Sequence, residues 1–511
     1  MPDQSDLSDR PKPMSDRIKR ARVLVNRNDA DALESAQAQA AEFPKDPEVM
    51  SLFGECLLKV GAYTVAIEKF LAALSLGKDS FAIRMRLGGA YLKLNQFQSA
   101  VEHYKEAVAQ GPGNLVAKMN LAIALERANQ IGELQDLVVE ILEIDSENIE
   151  GRLIAATLQR RKGDYEQGIH FLEDLRLDKA TPLQATRCLF ELAQLYDRAE
   201  RSEEAFKTFT AANRLQSNSS GFDQSIANNF KEHVAYERKK LHRQESLSAA
   251  TVSDAQDRPD PTFLIGFTRS GTTLLEQILG AHPDLDVLGE KPIFTRVYQD
   301  FIAMEEAQEK LGATVSLDQL SYLKKTYTDS VSAYLGAAPK HHFVDKLALN
   351  LTKTRLIQAM FPKAKYIFAL RHPCDVCLSN FMQSFFLNDA TANFLNFEDA
   401  IRVYDQVMKL WAQASTLFNL NVHIVRYESL VGDFEFTTRK IFEFLELDWN
   451  DQVLNYTDHA KQSEGITTPS YQDVVQPIFT RSQYRWVRYA DKFEPFRPIL
   501  EPHVHRFGYD W

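Results

Sequence analysis

The sequence predicts a multidomain protein, in which an all-α solenoid of helical hairpins precedes an α/β domain with a central parallel sheet. Three observations predict this fold class. The chain has 511 residues, which is too long for one ordinary core. Its first part repeats with a period of 34 residues, and at residue 261 the pattern changes to short apolar strands alternating with helices.

The helical hairpins are predicted from residues of like size that recur 34 positions apart. The pairs are Gly54 with Gly88, Leu57 with Tyr91, Ala66 with Ala100, Phe70 with Tyr104, and Ala73 with Ala107. Small residues are expected where the two helices of a hairpin touch, and large ones where the next hairpin stacks. Two later units carry similar marks, which are Ala156, Gly163, Tyr165 and Gly168 in one, and Ala193, Tyr196, Ala205, Phe209 and Ala212 in the other.

This periodic pattern resembles the tetratricopeptide repeat, and the resemblance covers residues 15–216. Stacked repeats of this type commonly hold a peptide or protein on their concave face, so a polypeptide partner is expected. A plain scaffold or a homodimer surface is the alternative. Residues 217–260 are predicted as a helical connector and linker, in which Arg238, Lys239 and Lys240 are interpreted as a solvated helix face.

The first motif of the domain at 261–511 is a glycine-bounded loop. Residues 262–266 form an apolar run that suits a buried parallel strand, and an amphipathic helix begins near Leu274. A loop between such a strand and helix aims backbone N–H groups at a phosphate. A structural turn is the alternative.

The residues of this loop argue against a nucleoside triphosphate. The spacing from Gly266 to Gly271 fits the phosphate-loop pattern GxxxxGK[ST], but Thr272 stands at the lysine position. That lysine normally reaches the β- and γ-phosphates. Arg269 supplies a charge within the loop instead, and Thr272 and Thr273 supply hydroxyl donors, which suits a shorter 5′ anion.

A second anion site is predicted after a later strand, at residues 365–370. Arg371 follows that strand directly, at the end where ligands bind in open α/β sheets. Pro373 can begin the next helix, which places Ser379 about two turns along it. An arginine and a serine that converge there could hold a second phosphate.

Together, RSGTT after one strand and R(x7)S after another resemble the sulfotransferases that use 3′-phosphoadenosine 5′-phosphosulfate (PAPS), and most specifically the tyrosylprotein sulfotransferases. In that family the first loop grips the 5′-phosphosulfate and the second grips the 3′-phosphate. The resemblance extends over nearly all of residues 261–511. Its other segments are AHPD at 281–284, Gly289-Glu290, FVDK at 343–346, RYE at 426–428, SYQDVVQPI at 470–478 and Arg485-Trp486.

The resemblance implies a catalytic set. Glu290 is expected to be the general base, since a carboxylate near the anionic donor accepts a proton more readily; a helix-terminal acid beside Pro292 is the alternative. Lys346 and Ser470 match the family's transition-state stabilisers, although the segment at Ser470 could also be an ordinary turn. Arg269 is expected to bind the phosphosulfate and to balance its charge as the bond breaks.

The resemblance also implies the nucleotide-binding residues. They are Arg269, Ser270, Gly271, Thr272, Thr273, Arg371, Ser379, Tyr427 and Arg485. One position departs from the family: Gln383 stands where the family has a further arginine. Arg481 is a candidate to supply the charge of that missing arginine. Arg485 stands at a lysine position. Transfer from PAPS needs no metal, and the histidines show no metal-ligand spacing.

Charge and composition indicate which partners and which cellular compartment are expected for the protein. The net charge of -11 argues against a nucleic-acid partner. The first residues lack a signal peptide's apolar segment and no apolar run is long enough to cross a membrane, so a cytoplasmic location is expected. Four cysteines suit a reducing compartment. Cys374 and Cys377 have redox-motif spacing, but without a second pair a redox or zinc role is disfavoured.

The sequence therefore predicts a PAPS-dependent sulfotransferase that moves a sulfuryl group to an acceptor hydroxyl by in-line transfer. Protein tyrosine is one candidate acceptor, while carbohydrate and small-molecule hydroxyls stay open. The alternative is a catalytically inactive repeat scaffold that binds nucleotide and a protein partner.

Overall fold

A computed structural model of the chain describes residues 31–219, 221, 223, 225–242, 260–340, 342–462 and 480–511. The described residues form two compact units, with the boundary between residues 180 and 181. The first is helical, and the second contains a parallel sheet. The predicted fold class is therefore confirmed. None of the described helices is both long and apolar enough to span a bilayer.

Antiparallel helical hairpins build the first unit. Its described α-helices are α1 (Asp31–Glu42), α2 (Pro47–Lys59), α3 (Tyr63–Ser75), α4 (Phe81–Lys93), α5 (Phe97–Gln110), α6 (Leu115–Arg127), α7 (Ile131–Ile144), α8 (Ile149–Lys162) and α9 (Tyr165–Glu173). A 3₁₀ turn follows at Leu177–Lys179. Asp46 caps α2 by accepting hydrogen bonds from the next backbone N–H groups, and Pro47 occupies the first turn, where it costs no hydrogen bond.

Within each hairpin, a small repeat position contacts a large one. A Cβ atom on Gly54 would lie 2.8 Å from the ring of Phe70, and one on Gly88 would lie 2.7 Å from the ring of Tyr104. Both glycines are therefore required because an aromatic ring of the second helix packs directly on the backbone of the first. The 34-residue recurrence reflects this repeated contact.

The second unit begins with a further hairpin and a long helix. These are α10 (Pro182–Arg198), α11 (Ser202–Ser219) and α12 (Ser225–His242). A reciprocal pair of hydrogen bonds between Thr181 and Gln184 starts α10. The predicted connector helix is thus present, but it packs within the second unit.

The expectation of a solvated face on α12 is wrong for Lys240, which is buried and paired with Glu309 and Glu305. One turn earlier, Glu237 accepts two hydrogen bonds from Arg355, each of 2.9 Å, and Arg355 also binds Glu305. Isolated buried charges would be costly, so these residues are satisfied only as a set. The run of cations was misread because its buried acidic partners are far away in sequence.

Five parallel strands form the sheet in the order β2-β3-β1-β4-β5. They are β1 (Thr262–Gly266), β2 (Leu285–Leu288), β3 (His342–Lys346), β4 (Lys365–Leu370) and β5 (Asn421–Arg426). Because every neighbouring pair is parallel, all five carboxyl ends lie at one edge. Gly266 allows β1 to approach β4 closely, since a Cβ there would lie 2.5 Å from the carbonyl oxygen of Ala369.

Helices connect and cover the strands. The α-helices are α13 (Thr272–Gly280), α14 (Ile293–Lys310), α15 (Leu317–Leu335), α16 (Thr354–Met360), α17 (Pro373–Phe381), α18 (Phe397–Phe418), α19 (Tyr427–Gly432), α20 (Phe434–Leu445), α21 (Tyr456–Gln462), α22 (Ala490–Phe493) and α23 (Arg497–Arg506). Short 3₁₀ helices lie at Ala348–Lys353, Thr391–Leu395, Asp451–Asn455, Arg485–Tyr489 and Glu494–Phe496. The strands β1 and β4 are buried almost throughout, as expected for central strands covered on both faces.

Candidate functional site

Each strand delivers one predicted site residue to the carboxyl edge of the sheet. In spatial order, these residues are Glu290 after β2, Lys346 at the end of β3, Arg269 after β1, Arg371 after β4 and Tyr427 after β5. The residues are far apart in sequence, but the parallel topology gathers them along one line. This is the edge at which open α/β sheets bind ligands.

The first loop has the backbone of a phosphate cradle. Arg269 and Gly271 both have positive φ, at 69° and 95°, and Arg269 is a non-glycine residue held in a conformation that costs energy. Gly271 is the N-cap of α13 and makes no side-chain cap. The first N–H groups of α13 thus have no capping side chain, and together with the helix dipole they suit an anion. Ser270, Thr272 and Thr273 are buried in this turn.

Tyr427 packs against the same loop. A Cβ on Gly271 would lie 2.9 Å from Cδ2 of the Tyr427 ring, so a larger residue at 271 would collide with that ring. The guanidinium of Arg371 lies over the ring as well, 5.1 Å from its centroid. The tyrosine predicted to lie near the nucleotide is therefore in contact with both predicted anion loops.

Direct hydrogen bonds join the two loops. Nε of Arg269 donates to Oγ of Ser379 at 3.2 Å, and Nη1 of Arg371 donates to the carbonyl oxygen of Arg269 at 3.2 Å. Asn380, which sequence reasoning missed, adds a pair with Thr268, since its Nδ2 donates to the Thr268 carbonyl at 2.9 Å. The prediction that Pro373 begins α17 and places Ser379 along it is confirmed.

Arg371 is buried, with 6% of its surface exposed, yet one of its hydrogen-bond donors is unused. Its Nη2 donates to the carbonyl of Ser482, and the same nitrogen lies 3.9 Å from a carboxylate oxygen of Asp375. Burial raises the pKa of Asp375, and the positive charge of Arg371 opposes this increase. Nε of Arg371 has no hydrogen-bond partner among the described residues. An anion on this guanidinium would satisfy it.

At the β3 end, Lys346 is fully buried between two carboxylates. Its Nζ lies 2.5 Å from Oε1 of Glu290 and 2.8 Å from Oε2 of Glu276. Glu290 is the more accessible of the two, with 38% of its side chain exposed. The predicted base and the predicted cation are thus in direct contact. Sequence reasoning missed Glu276 on α13, because its partner Lys346 is distant in sequence.

The structure places Arg485 beside the end of α17, where its side chain already contacts other protein residues. Its Nε donates to Oδ1 of the buried Asp197 at 3.1 Å, and Nη2 contacts Sδ of Met382. Arg488 and Tyr489 also donate to Asp197. Burial acts to raise the pKa of Asp197, but the charges of the two arginines outweigh it and hold the pKa below its ordinary value. Asp197 belongs to α10, and no local sequence signal pointed to it.

Three other predicted positions contribute less. Ser470 lies outside the described residues. Gln383 is half-buried and donates to the carbonyl of Ser384 at 3.2 Å, so the structure gives its side chain a purely local contact. Arg481 is exposed at the start of the last described segment.

The two cysteines of the redox-like motif lie in the first turns of α17. Cys374 and Cys377 are buried free thiols. Burial raises the pKa of both, which keeps them as thiols and lowers their reactivity. Their burial within this helix supports a structural role.

The structure thus shows a parallel sheet with the two predicted anion-binding segments in contact at its carboxyl edge, where open α/β sheets bind ligands. Two family models match parts of the chain. Residues 261–451 match the model of the sulfotransferase family, and residues 85–133 match a tetratricopeptide-repeat model. The predicted combination of a sulfotransferase-like domain with tetratricopeptide-like repeats is confirmed by these two matches.

Individual relatives are distant. The chain is 28% identical over 392 residues to a protein of Aquifex aeolicus (strain VF5) described as uncharacterized, covering 73% of this chain and 48% of that protein. It is 26% identical over 263 residues to protein-tyrosine sulfotransferase 1 of Danio rerio, covering 48% of this chain and 72% of that one. The chain thus spans about half the length of the Aquifex protein.

Among solved structures, MamA (residue 41 to its end) from Desulfovibrio magneticus RS-1 aligns with 33% of this chain and 100% of its own, at 22% identity and a TM-score of 0.31.

Proposed function

We propose that this chain transfers a sulfuryl group from PAPS to an acceptor hydroxyl. The observation that carries the proposal is the linkage of the two anion loops through Arg269 and Ser379. A donor phosphorylated at both ends of its ribose needs two anion sites at a fixed separation. The contact between the loops, together with the unsatisfied Nε of Arg371, supports such a ligand.

In this proposal Glu290 accepts the proton of the acceptor hydroxyl. The acceptor oxygen attacks sulfur, the bond between sulfur and the phosphate oxygen breaks, and 3′,5′-bisphosphoadenosine leaves. Lys346 and Arg269 balance the charge that develops on the sulfuryl and leaving oxygens. Such a reaction depends on positioning and electrostatics, which a buried lysine and a strained loop arginine can supply.

A tyrosine hydroxyl in a polypeptide is the acceptor that we propose to test first. Several curated relatives are protein-tyrosine sulfotransferases, and the helical repeats are of a kind that holds polypeptides. We also propose that the protein acts in the cytoplasm. Carbohydrate and small-molecule hydroxyls are the competing acceptors.

The test is calorimetric titration with PAPS, 3′,5′-bisphosphoadenosine and ATP, followed by an assay of labelled sulfate transfer. Binding of the bisphosphate with turnover of PAPS would support the proposal. Tight ATP binding without a response to the bisphosphate would overturn it. Bisphosphate binding without transfer to any acceptor pool would favour the inactive repeat scaffold.

A further inference from the structure

The ammonium of Lys346 has two carboxylate partners, and only one of them has a place in the reaction proposed above. Glu290 lies after β2, whereas Glu276 lies on α13, the helix that begins at the first anion loop. The Glu276 side chain is 15% exposed, compared with 38% for Glu290. The second carboxylate is therefore the more enclosed of the two.

The bond between Lys346 and Glu290 weakens when Glu290 acts as a base. A carboxylate that takes the acceptor proton becomes neutral, so the Lys346 ammonium loses the opposite charge of Glu290. Lys346 is fully buried, and a buried ammonium without a partner is strongly disfavoured. With Glu290 as sole partner, the lysine would then lack an opposite charge. The contact of 2.8 Å with Glu276 keeps one in place.

We propose that Glu276 is a positioning residue that holds the Lys346 ammonium at the end of β3 while Glu290 exchanges its ion pair for the acceptor proton. The inference rests on the proposed sulfuryl transfer. It assigns Glu276 no contact with donor or acceptor. The helix that presents backbone N–H groups to the donor would thereby also fix the lysine that faces the transferred group.

Gly289 provides a second observation about the position of the Glu276 carboxylate. A Cβ at this position would lie 2.7 Å from Oε1 of Glu276. The Glu276 carboxylate therefore occupies the space that any side chain at 289 would fill. Gly289→Ala is expected to push Glu276 away from Lys346 and to reproduce part of the effect of losing Glu276.

The experiment compares Glu276→Leu and the isosteric Glu276→Gln with the wild type. The leucine variant is expected to lower kcat for PAPS turnover about 10- to 100-fold, with KM for PAPS and Kd for 3′,5′-bisphosphoadenosine changed by less than about threefold. Glutamine retains an acceptor oxygen and should restore part of the rate. Glu446→Leu is the matched control, because it removes an exposed carboxylate 2.8 Å from Lys365, at the opposite end of the sheet. A kcat for Glu276→Leu within about twofold of the wild type would overturn the proposal.

A double-mutant cycle tests the glycine. If Gly289→Ala acts by displacing Glu276, it should cost little when Glu276 is already leucine. Fully additive losses of kcat would contradict this mechanism.

Crystal structures of the wild type and Glu276→Leu separate this proposal from the proposed function. If the wild type transfers no sulfate from PAPS, the function fails, and the position of Lys346 still decides the role of Glu276. Movement of Nζ by about 1 Å or more is expected in the variant. An unmoved ammonium would overturn the positioning role.

Discussion

Nε of Arg269 donates a hydrogen bond to Oγ of Ser379 at 3.2 Å. Arg269 lies in the loop after β1, and Ser379 lies on α17, the helix that follows β4. A second hydrogen bond, from Arg371 to the carbonyl of Arg269, also joins the two segments. A ligand that binds one segment therefore lies close to the other.

Arg371→Ala is expected to lower the affinity for 3′,5′-bisphosphoadenosine about 10- to 100-fold, because charge-assisted hydrogen bonds contribute about 1.5–3 kcal/mol each. Calorimetry at constant salt measures the change. Arg439→Ala is the control, since this arginine is exposed on α20 and pairs with Glu435. Equal affinities of wild type and Arg371→Ala would remove Arg371 from the nucleotide site.

Glu290→Gln and Lys346→Ala are each expected to lower kcat by about 10²- to 10⁴-fold, because one removes the proton acceptor and the other the buried cation. Glu290→Gln is isosteric, so circular dichroism and bisphosphate binding should match those of the wild type. Turnover near the wild-type rate in both variants would contradict the assigned roles.

Gly271→Ala is expected to be more damaging than alanine at a comparable open turn. Its φ is 95°, and the added Cβ would collide with the Tyr427 ring. Gly312→Ala is the matched control, since it has φ of 68° and no atom within 4 Å of its Cβ position. The shared backbone strain costs about 1–3 kcal/mol in each case. Chemical denaturation should show a larger loss of unfolding free energy for Gly271→Ala, and equal losses would mean that Tyr427 yields without cost.

The sequence correctly predicted those features of the fold and the site that depend on local pattern and on strand topology. Strand, loop and helix in succession located Arg269 and Arg371, since the ends of parallel strands share one edge. Glu276 and Asp197 were missed for a physical reason. Their importance comes from partners 70 or more positions away, Lys346 and Arg485, and no local pattern encodes such pairs. Lys240 was misinterpreted for the same reason.

Asp345 provides a prediction about pH. It precedes Lys346 on β3, is buried, and accepts a hydrogen bond from Tyr327 at 2.8 Å. Burial raises its pKa from 3.8 to about 6, against the opposing effects of Tyr327 and Lys353. In this range the folded state binds more protons than the unfolded state, so this contribution to stability is full below pH of about 4 and is lost as pH rises through about 6.

Asp345→Asn should therefore remove this loss. The variant is expected to show a smaller fall in unfolding free energy than the wild type between pH of about 4 and 7, by up to about 3 kcal/mol. Urea denaturation across this range measures the difference. Parallel pH profiles for the two proteins would show that Asp345 does not titrate there.

Sulfuryl transfer by this protein is tested most directly by incubating the wild type and Glu290→Gln with sulfur-labelled PAPS and separate pools of tyrosine-containing peptides, glycans and small hydroxyl compounds. The wild type is expected to transfer label into at least one pool, with release of 3′,5′-bisphosphoadenosine, and transfer by the variant is expected to be lower by about 10²-fold or more. Equal transfer by both proteins, or none by a wild type that binds the bisphosphate, would contradict this expectation.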